Sequence, residues 1–162
     1  DLRGWTRFIS MQDHYNLLAR EEEREMHPLC AYEGVGVIPW SPLARGHLAG
    51  TRKRVGDDSN ETTRGKTDGF DQILYTAQSD AAILEAVRSV ADRHGRPMAQ
   101  IALAWVSSKP VVTAPIIGVT KVSQLDDAIA SLEVTLTADD IAELEAPYVP
   151  RMPSELGPAS LR

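Results

Sequence analysis

Apolar residues occur along the chain in three short runs and in several longer stretches with helical spacing. The short runs lie at residues 7–12, 35–40 and 114–120, and each is mostly apolar. Uninterrupted apolar runs of this length are typical of strands in parallel sheets that helices cover on both faces. The sequence therefore predicts three parallel strands.

Between and after these runs, apolar residues recur at intervals of three and four, which predicts helices. The helices are expected within residues 21–34, 79–95, 96–110, 123–133 and 137–150. Ser79 and Thr137 are suitable caps for two of them. Ser123 and Asp126 have the spacing of a capping box at the start of a third. Because Pro28 is tolerated only in a first turn, the first regular helix is expected to begin late.

The order of these elements predicts an α/β fold with right-handed crossovers. Three strands cannot close a barrel, so they belong either to a doubly wound sheet or to about three eighths of a (β/α)8 barrel. No G-x-G-x-x-G follows a strand, which weakens the dinucleotide-fold alternative. The polar segment 51–78 is too long for a plain connector and is expected to be functional or mobile. The apolar stripe of the fourth helix is Leu125, Ile129 and Leu132.

Composition narrows the class of protein further. The chain has 162 residues, is 43% hydrophobic and carries a net charge of -6, without a basic stripe, so nucleic acid is not an expected partner. No run of 18 apolar residues indicates a membrane span. The single cysteine, Cys30, indicates a reducing compartment and hence a cytoplasmic protein, and its helical context favours a small buried hydrophobe over a nucleophile. The chain begins at Asp1 and enters an apolar segment almost at once, so we expect it to be part of something longer.

Ligands of such folds bind at the carboxyl ends of the strands, where this chain has three candidate patches. Gln12 follows the first run, and its amide can hydrogen-bond a carboxamide in both directions. Trp40 ends the second run and can stack on a heteroaromatic ring, particularly a cationic one. Residues 41–46 can offer backbone N–H groups and the charge of Arg45 to a pyrophosphate. Gly118 permits close backbone approach, and the helix that follows attracts phosphate.

Each patch also has an ordinary structural interpretation. Trp40 is equally well a core aromatic, Gln12 a cap on a strand edge and Lys121 a solvated surface lysine. The Asp-His-Tyr triplet at 13–15 looks catalytic, but neighbours on an extended chain point in opposite directions and cannot share a proton path. We therefore interpret its histidine and tyrosine as structural or pocket-wall residues.

Four segments carry a more specific resemblance: FISMQDHYNLLAREEEREM, VIPWSPLARGHLAG, RPMAQIALAWVSSKP and PIIGVTKVSQLDDAIASLEVTLTADDIAELEAPYVP. Together they resemble the C-terminal half of an aldo-keto reductase, in the branch related to aryl-alcohol dehydrogenases. The resemblance covers essentially the whole chain in the right order. It implies an NADP(H)-dependent (β/α)8 TIM barrel that reduces aldehydes or ketones, with this chain supplying strands six to eight and their helices.

The resemblance also implies which residues contact the cofactor. Gln12 would hold the nicotinamide carboxamide, and Trp40 would stack on the nicotinamide ring. The residues at the pyrophosphate loop are Ser41, Pro42, Leu43, Ala44, Arg45 and Gly46. The residues around the adenosine 2′-phosphate and the adenine are Gly118, Thr120, Lys121, Gln124 and Asp127. Ala128 replaces the asparagine common in the family, which leaves no side-chain amide for the adenine at that position.

The catalytic tetrad of that family, an aspartate, a tyrosine, a lysine and a histidine, has no counterpart in this sequence. In the family all four residues belong to the N-terminal half of the barrel. The partners implied are NADP(H), a small carbonyl substrate, and either the missing N-terminal half or another copy of this chain. The alternative is a non-catalytic, truncated barrel that acts as a dinucleotide-binding or interaction module.

Overall fold

The computed structural model describes residues 2–51, 74–75 and 80–150 of the chain. The regular elements in these ranges are β1 (Ser10–Met11), α1 (Met26–Glu33), β2 (Gly36–Val37), α2 (Asp80–His94), α3 (Met98–Ser107), α4 (Val122–Ala130) and α5 (Ala138–Glu145). Short 3₁₀ turns lie at Glu21–Arg24, Ala44–Gly46 and Ser131–Glu133. This order confirms the α/β class. None of the helices in the described ranges is long and apolar enough to cross a bilayer.

β1 and β2 pair in parallel, as predicted, with Ser10 opposite Gly36. The ladder continues past both strands, because the N–H of Trp40 donates to the carbonyl of Asp13 at 2.8 Å. The strand predicted at 7–12 is nevertheless reduced to the two residues of β1. The parallel register brings the carboxyl ends of both strands to the same edge of the sheet.

The third apolar run continues the sheet on the other side of β2 without forming a full strand. Two isolated parallel bridges join the second run to the chain at and just before the third run, Val37 with Val112 and Trp40 with Ile116. The strand predicted at 114–120 is therefore wrong in extent, although its neighbour and its direction are right. A parallel strand divides its backbone hydrogen bonds between two neighbours. In the described ranges β1 and the third segment each pair with one neighbour only, which accounts for how short the regular strands are.

Two helix boundaries confirm the sequence prediction. α1 begins at Met26, so Pro28 lies in its first turn, and Gly34, whose φ of 68° is left-handed, caps its C-terminus. α5 is capped by Thr137, whose hydroxyl oxygen accepts from the N–H of Asp140 at 3.1 Å. The carboxylate of Asp140 accepts in return from the N–H of Thr137 at 2.9 Å, which completes a capping box.

The start of α4 was predicted wrongly. The helix begins at Val122, one residue before the expected cap Ser123. The side-chain oxygen of Gln124 accepts from the N–H groups of Thr120 at 2.8 Å and Lys121 at 3.2 Å. The longer amide reaches back to the residues before the helix and satisfies their donors, as a short serine at position 123 does not. The other predicted cap, Ser79, lies outside the described residues.

The core lies where α2 and α3 meet the segments that follow the strands. Helical spacing predicts an apolar face on each of these two helices, and the buried members are Ile83, Val87, Val90, Ala91, Ile101, Ala102, Trp105 and Val106. The predicted members Leu84 and Met98 are half-buried and pack against the core. Trp105 stacks on Tyr15, with ring centroids 5.3 Å apart and an interplanar angle of 28°. Cys30 is 3% exposed, which agrees with its interpretation as a small buried hydrophobe.

Glu145, at the end of α5, connects this helix to the core. Its carboxylate accepts from the indole N–H of Trp105 at 2.9 Å and from Arg20 at 3.0 Å. Lys109 also pairs with it and lies 4.4 Å from the centroid of the Trp105 ring. Burial opposes ionisation, but the hydrogen bonds of Lys109 and Trp105 and the charge of Arg20 outweigh it and lower the pKa of Glu145.

Apolar side chains are exposed on α4 and in the segment before β1. The stripe predicted on α4 is amphipathic as expected, but Ile129 is 58% and Leu132 is 74% exposed. In the segment before β1, Trp5, Phe8 and Ile9 are 72%, 89% and 82% exposed. No element of the described ranges packs over either surface.

We expect the ionised Glu145 to stabilise the fold above the ordinary glutamate pKa of about 4.3, and to lose this contribution as the pH falls below it. Glu145→Gln should lower the free energy of unfolding at pH 7 by about 1–2 kcal/mol, since it weakens hydrogen bonds to a charged group. The difference from the wild type should narrow towards pH 3 in urea denaturation curves. The exposed Glu133→Gln serves as the control, and a difference for Glu145→Gln that stays constant with pH would contradict the role of its charge.

Candidate functional site

The loop that follows β2 is held in an unusual backbone conformation. Ser41, Ala44 and Arg45 have positive φ angles of 57°, 48° and 55°, and Gly46 has a φ of 104°. Each left-handed residue other than glycine costs about 1–2 kcal/mol. Conformations of this kind cluster at ligand sites, where the surrounding structure enforces them. The sequence reasoning selected this loop, but nothing in it predicted left-handed serine, alanine and arginine.

Some of the backbone N–H groups expected to bind an anion donate to carbonyls of the loop itself. The N–H of Ala44 donates to the carbonyl of Ser41, and that of Gly46 to the carbonyl of Leu43, both at 2.9 Å. Pro42 and Ala44 are buried, whereas the other residues of the loop are half-buried. An anion at this loop would therefore meet the N–H groups of residues other than Ala44 and Gly46, and it would not meet the side chains of Pro42 and Ala44.

Trp40 lies half-buried at the end of the second strand and packs against the core. One face of its indole carries His14, with ring centroids 4.2 Å apart and an interplanar angle of 13°. The hydroxyl of Tyr75 lies 2.6 Å from Nε2 of His14. The two interpretations of Trp40 as core aromatic and as ligand platform are thus compatible, because one face packs inward and the ring keeps a partly exposed surface.

Sequence reasoning missed two residues of this cluster, Tyr75 and Asn16. The amide nitrogen of Asn16 donates to the Tyr75 oxygen at 3.1 Å and to the carbonyl of Ser41 at 3.0 Å. Both residues are fully buried. The only signal for Tyr75 was an apolar run at 73–75 inside a segment that is otherwise polar.

The side chains of the triplet at 13–15 take three separate partners, as the alternation of an extended chain predicts. Oδ2 of Asp13 is 2.6 Å from Nε2 of His27, and the Tyr15 hydroxyl donates to the carboxylate of Glu23 at 2.5 Å. Burial and the hydrogen bond to Glu23 raise the pKa of Tyr15, which keeps the phenol protonated. The triplet therefore forms no proton relay.

The patch after the third strand is open to solvent. Gly118, Thr120 and Lys121 are exposed, and a side chain at Gly118 would meet no atom within 4 Å. The amide of Gln124 is engaged in capping α4, and a carboxylate oxygen of Asp127 accepts from Gln100 at 2.9 Å. Gln124 and Asp127 thus already have structural partners, and no crowding at position 118 requires a glycine.

The register of the sheet places the three patches at one edge. Gln12 is exposed and precedes Asp13, whose carbonyl accepts from Trp40 at 2.8 Å. Trp40 in turn bridges to Ile116, two residues before Gly118. A half-buried aromatic ring, a strained loop with an arginine and a helix N-terminus with an exposed lysine follow neighbouring parallel segments. This combination can hold an extended ligand with a flat ring and anionic groups.

Residues 1–148 match the profile of the Aldo/keto reductase family. The versiconal hemiacetal acetate reductase of Aspergillus parasiticus is 48% identical over 151 residues, which cover 91% of this chain and 42% of that protein. A candidate aryl-alcohol dehydrogenase of Schizosaccharomyces pombe is 48% identical over 147 residues, covering 91% and 40%. An aldo-keto reductase of Fusarium vanettenii is 41% identical over 150 residues, covering 92% and 39%. The chain spans about two fifths of the length of these curated relatives.

The strain at Arg45 can be measured with two variants that both remove its side chain. Arg45→Gly should be more stable to urea than Arg45→Ala by about 1 kcal/mol, because alanine keeps the left-handed penalty and glycine does not. Any contact of the guanidinium is lost equally in both, so it cancels in the comparison. Equal stabilities, or a more stable alanine variant, would mean that residue 45 is not left-handed in solution.

Proposed function

Because this chain belongs to the aldo/keto reductase family, we propose that it supplies the cofactor-binding part of an NADP(H)-dependent enzyme that reduces aldehydes or ketones. The observation that carries the proposal is the shared edge of the sheet, where Trp40, the loop 41–46 and the segment from Gly118 follow adjacent parallel segments. The named relatives include a hemiacetal acetate reductase and a candidate aryl-alcohol dehydrogenase, which supports carbonyl and alcohol chemistry.

The same chain is proposed to form strands six to eight of a (β/α)8 barrel, with the N-terminal strands supplied by sequence outside these 162 residues. Three features support this. The chain covers about two fifths of its relatives. In the described ranges the outer edges of β1 and of the third segment carry no further strand, and such edges favour pairing. The exposed apolar surfaces at Trp5, Phe8 and Ile9 and along α4 flank these edges.

The residues fit a nicotinamide dinucleotide in their donor chemistry. When bound, NADPH supplies the hydride that reduces the carbonyl carbon. Trp40 offers a flat ring to the nicotinamide, and Gln12, exposed at the end of its strand, offers an amide to the carboxamide. Arg45 would pair with the pyrophosphate and Lys121 with the 2′-phosphate. The proton donor of the reaction belongs, on this proposal, to the N-terminal part of the barrel.

We expect the isolated 162-residue chain to oxidise no NADPH with reactive aromatic aldehydes, because general acid catalysis contributes roughly 10²–10⁴-fold and its donor is absent. Fusing the chain to the N-terminal three fifths of one of its 48%-identical relatives should produce turnover. The same fusion with Trp40→Ala serves as the control and should bind NADPH more weakly. Turnover by the isolated chain, from material of verified mass, would contradict the proposed division of the barrel.

The dinucleotide preference is testable at Lys121 in the complete barrel, which is the fusion of this chain to the N-terminal part of a relative. A charged hydrogen bond to the 2′-phosphate is worth roughly 1.5–3 kcal/mol, which corresponds to about a 10- to 100-fold preference for NADP(H). Lys121→Glu should weaken NADPH binding by at least this factor and leave NADH binding nearly unchanged in fluorescence titrations. The exposed Arg88→Glu on α2 makes the same change in net charge and should affect neither cofactor. An equal loss for both cofactors would mean that Lys121 does not hold the phosphate.

A further inference from the structure

His14 lies against Trp40 because of the register of the sheet. The two residues form a parallel bridge, so they are direct neighbours at the carboxyl ends of adjacent strands. Neighbouring residues of paired strands project to the same face. Their rings therefore meet nearly parallel, at 4.2 Å between centroids. One face of the indole is therefore already covered, and a ligand can use only the part of the ring that stays exposed.

The imidazole is itself fixed by a chain of hydrogen bonds. The side-chain oxygen of Asn16 accepts from the N–H of Leu18 at 2.8 Å, which sets the orientation of the amide. Its nitrogen can only donate, and it lies 3.1 Å from the Tyr75 oxygen and 3.0 Å from the carbonyl of Ser41. The hydroxyl of Tyr75 lies 2.6 Å from Nε2 of His14, and the amide nitrogen of Asn16 lies 3.3 Å from the same atom. These contacts hold the imidazole in one orientation against the indole.

The hydrogen bonds between Asn16 and Tyr75 are shielded from water, which makes this part of the network rigid. Asn16 is 0% and Tyr75 is 1% exposed, so water does not compete for their hydrogen bonds. Tyr75 also packs edge-on against His14, with ring centroids 5.7 Å apart. A side chain locked by packing and by hydrogen bonds holds its neighbour in one geometry.

We propose that His14, fixed by Tyr75 and Asn16, is a positioning residue that holds the indole of Trp40 in the plane required by the cofactor ring. This inference rests on the proposed function, in which Trp40 stacks on nicotinamide. An indole supported from behind is already ordered before the ligand arrives, so binding loses less conformational entropy.

The test compares His14→Leu, which keeps the volume but removes the ring, with His14→Phe, which keeps an aromatic ring against Trp40. Both are made in the complete barrel and titrated with NADPH and with adenosine 2′,5′-bisphosphate, which lacks the nicotinamide. Aromatic pairs contribute enough to predict roughly a 2- to 10-fold weaker NADPH binding for His14→Leu. Binding of the bisphosphate should not change, and His14→Phe should restore part of the NADPH affinity, because it keeps the aromatic contact but not the hydrogen bond to Tyr75.

Tyr75→Phe tests the hydrogen-bonded part of the chain without altering the packing, and it carries the test if His14→Leu does not fold. It should raise the KM for NADPH more than it lowers kcat. The matched control is Tyr32→Phe, because Tyr32 is 86% exposed on α1. Equal weakening of both ligands by His14→Leu, or an unchanged NADPH affinity, would overturn the inference and leave the proposed function intact. A wild-type barrel that binds no NADPH would overturn both.

Discussion

The stacking of a buried indole on a buried phenol is the contact on which the other parts of this fold depend. Trp105 is 0% exposed and lies against Tyr15, while its N–H donates to Glu145 of the terminal helix. Arg20 and Lys109 lie over the same ring and pair with the same carboxylate. The segment after β1, the helix α3 and the helix α5 thus share one side chain. Because Tyr15 directly follows His14 in the chain, this contact also fixes the position of the cluster around Trp40.

The helices and their buried faces could be predicted because helix periodicity and caps are local properties of the sequence. Pro28 and Thr137 marked helix starts through the backbone donors that each removes or satisfies. The extent of the strands could not be predicted, since strand pairing depends on neighbours distant in sequence. The stripe at Leu125 and Ile129 was visible as a pattern, but a pattern does not state whether another element covers it. At α4, Gln124 displaced the expected serine cap because its longer side chain reaches back to two N–H groups.

The candidate site shows the same division between local and distant information. Trp40 and its loop could be located because they directly follow an apolar run. Tyr75 could not, because its contacts with His14 and Asn16 join residues 61 and 59 positions apart. The left-handed backbone at Arg45 has no residue-type signal, since arginine has no preference for that conformation. The cofactor assignments of the individual residues are predictions from family resemblance, for which the geometry supplies suitable side chains.

Cys30 gives the molecule a chemical reporter of its own motion. Cys30 is a buried residue of α1, and its burial, with the carboxylates of Asp13 and Glu22, raises the pKa of the thiol. Access of a thiol reagent to this sulfur is therefore restricted, and the rate of modification measures how often the sulfur becomes accessible. Since the sequence contains no second cysteine, each modified molecule records one opening event. The exposure of Cys30 can thus be followed in time without introducing another cysteine.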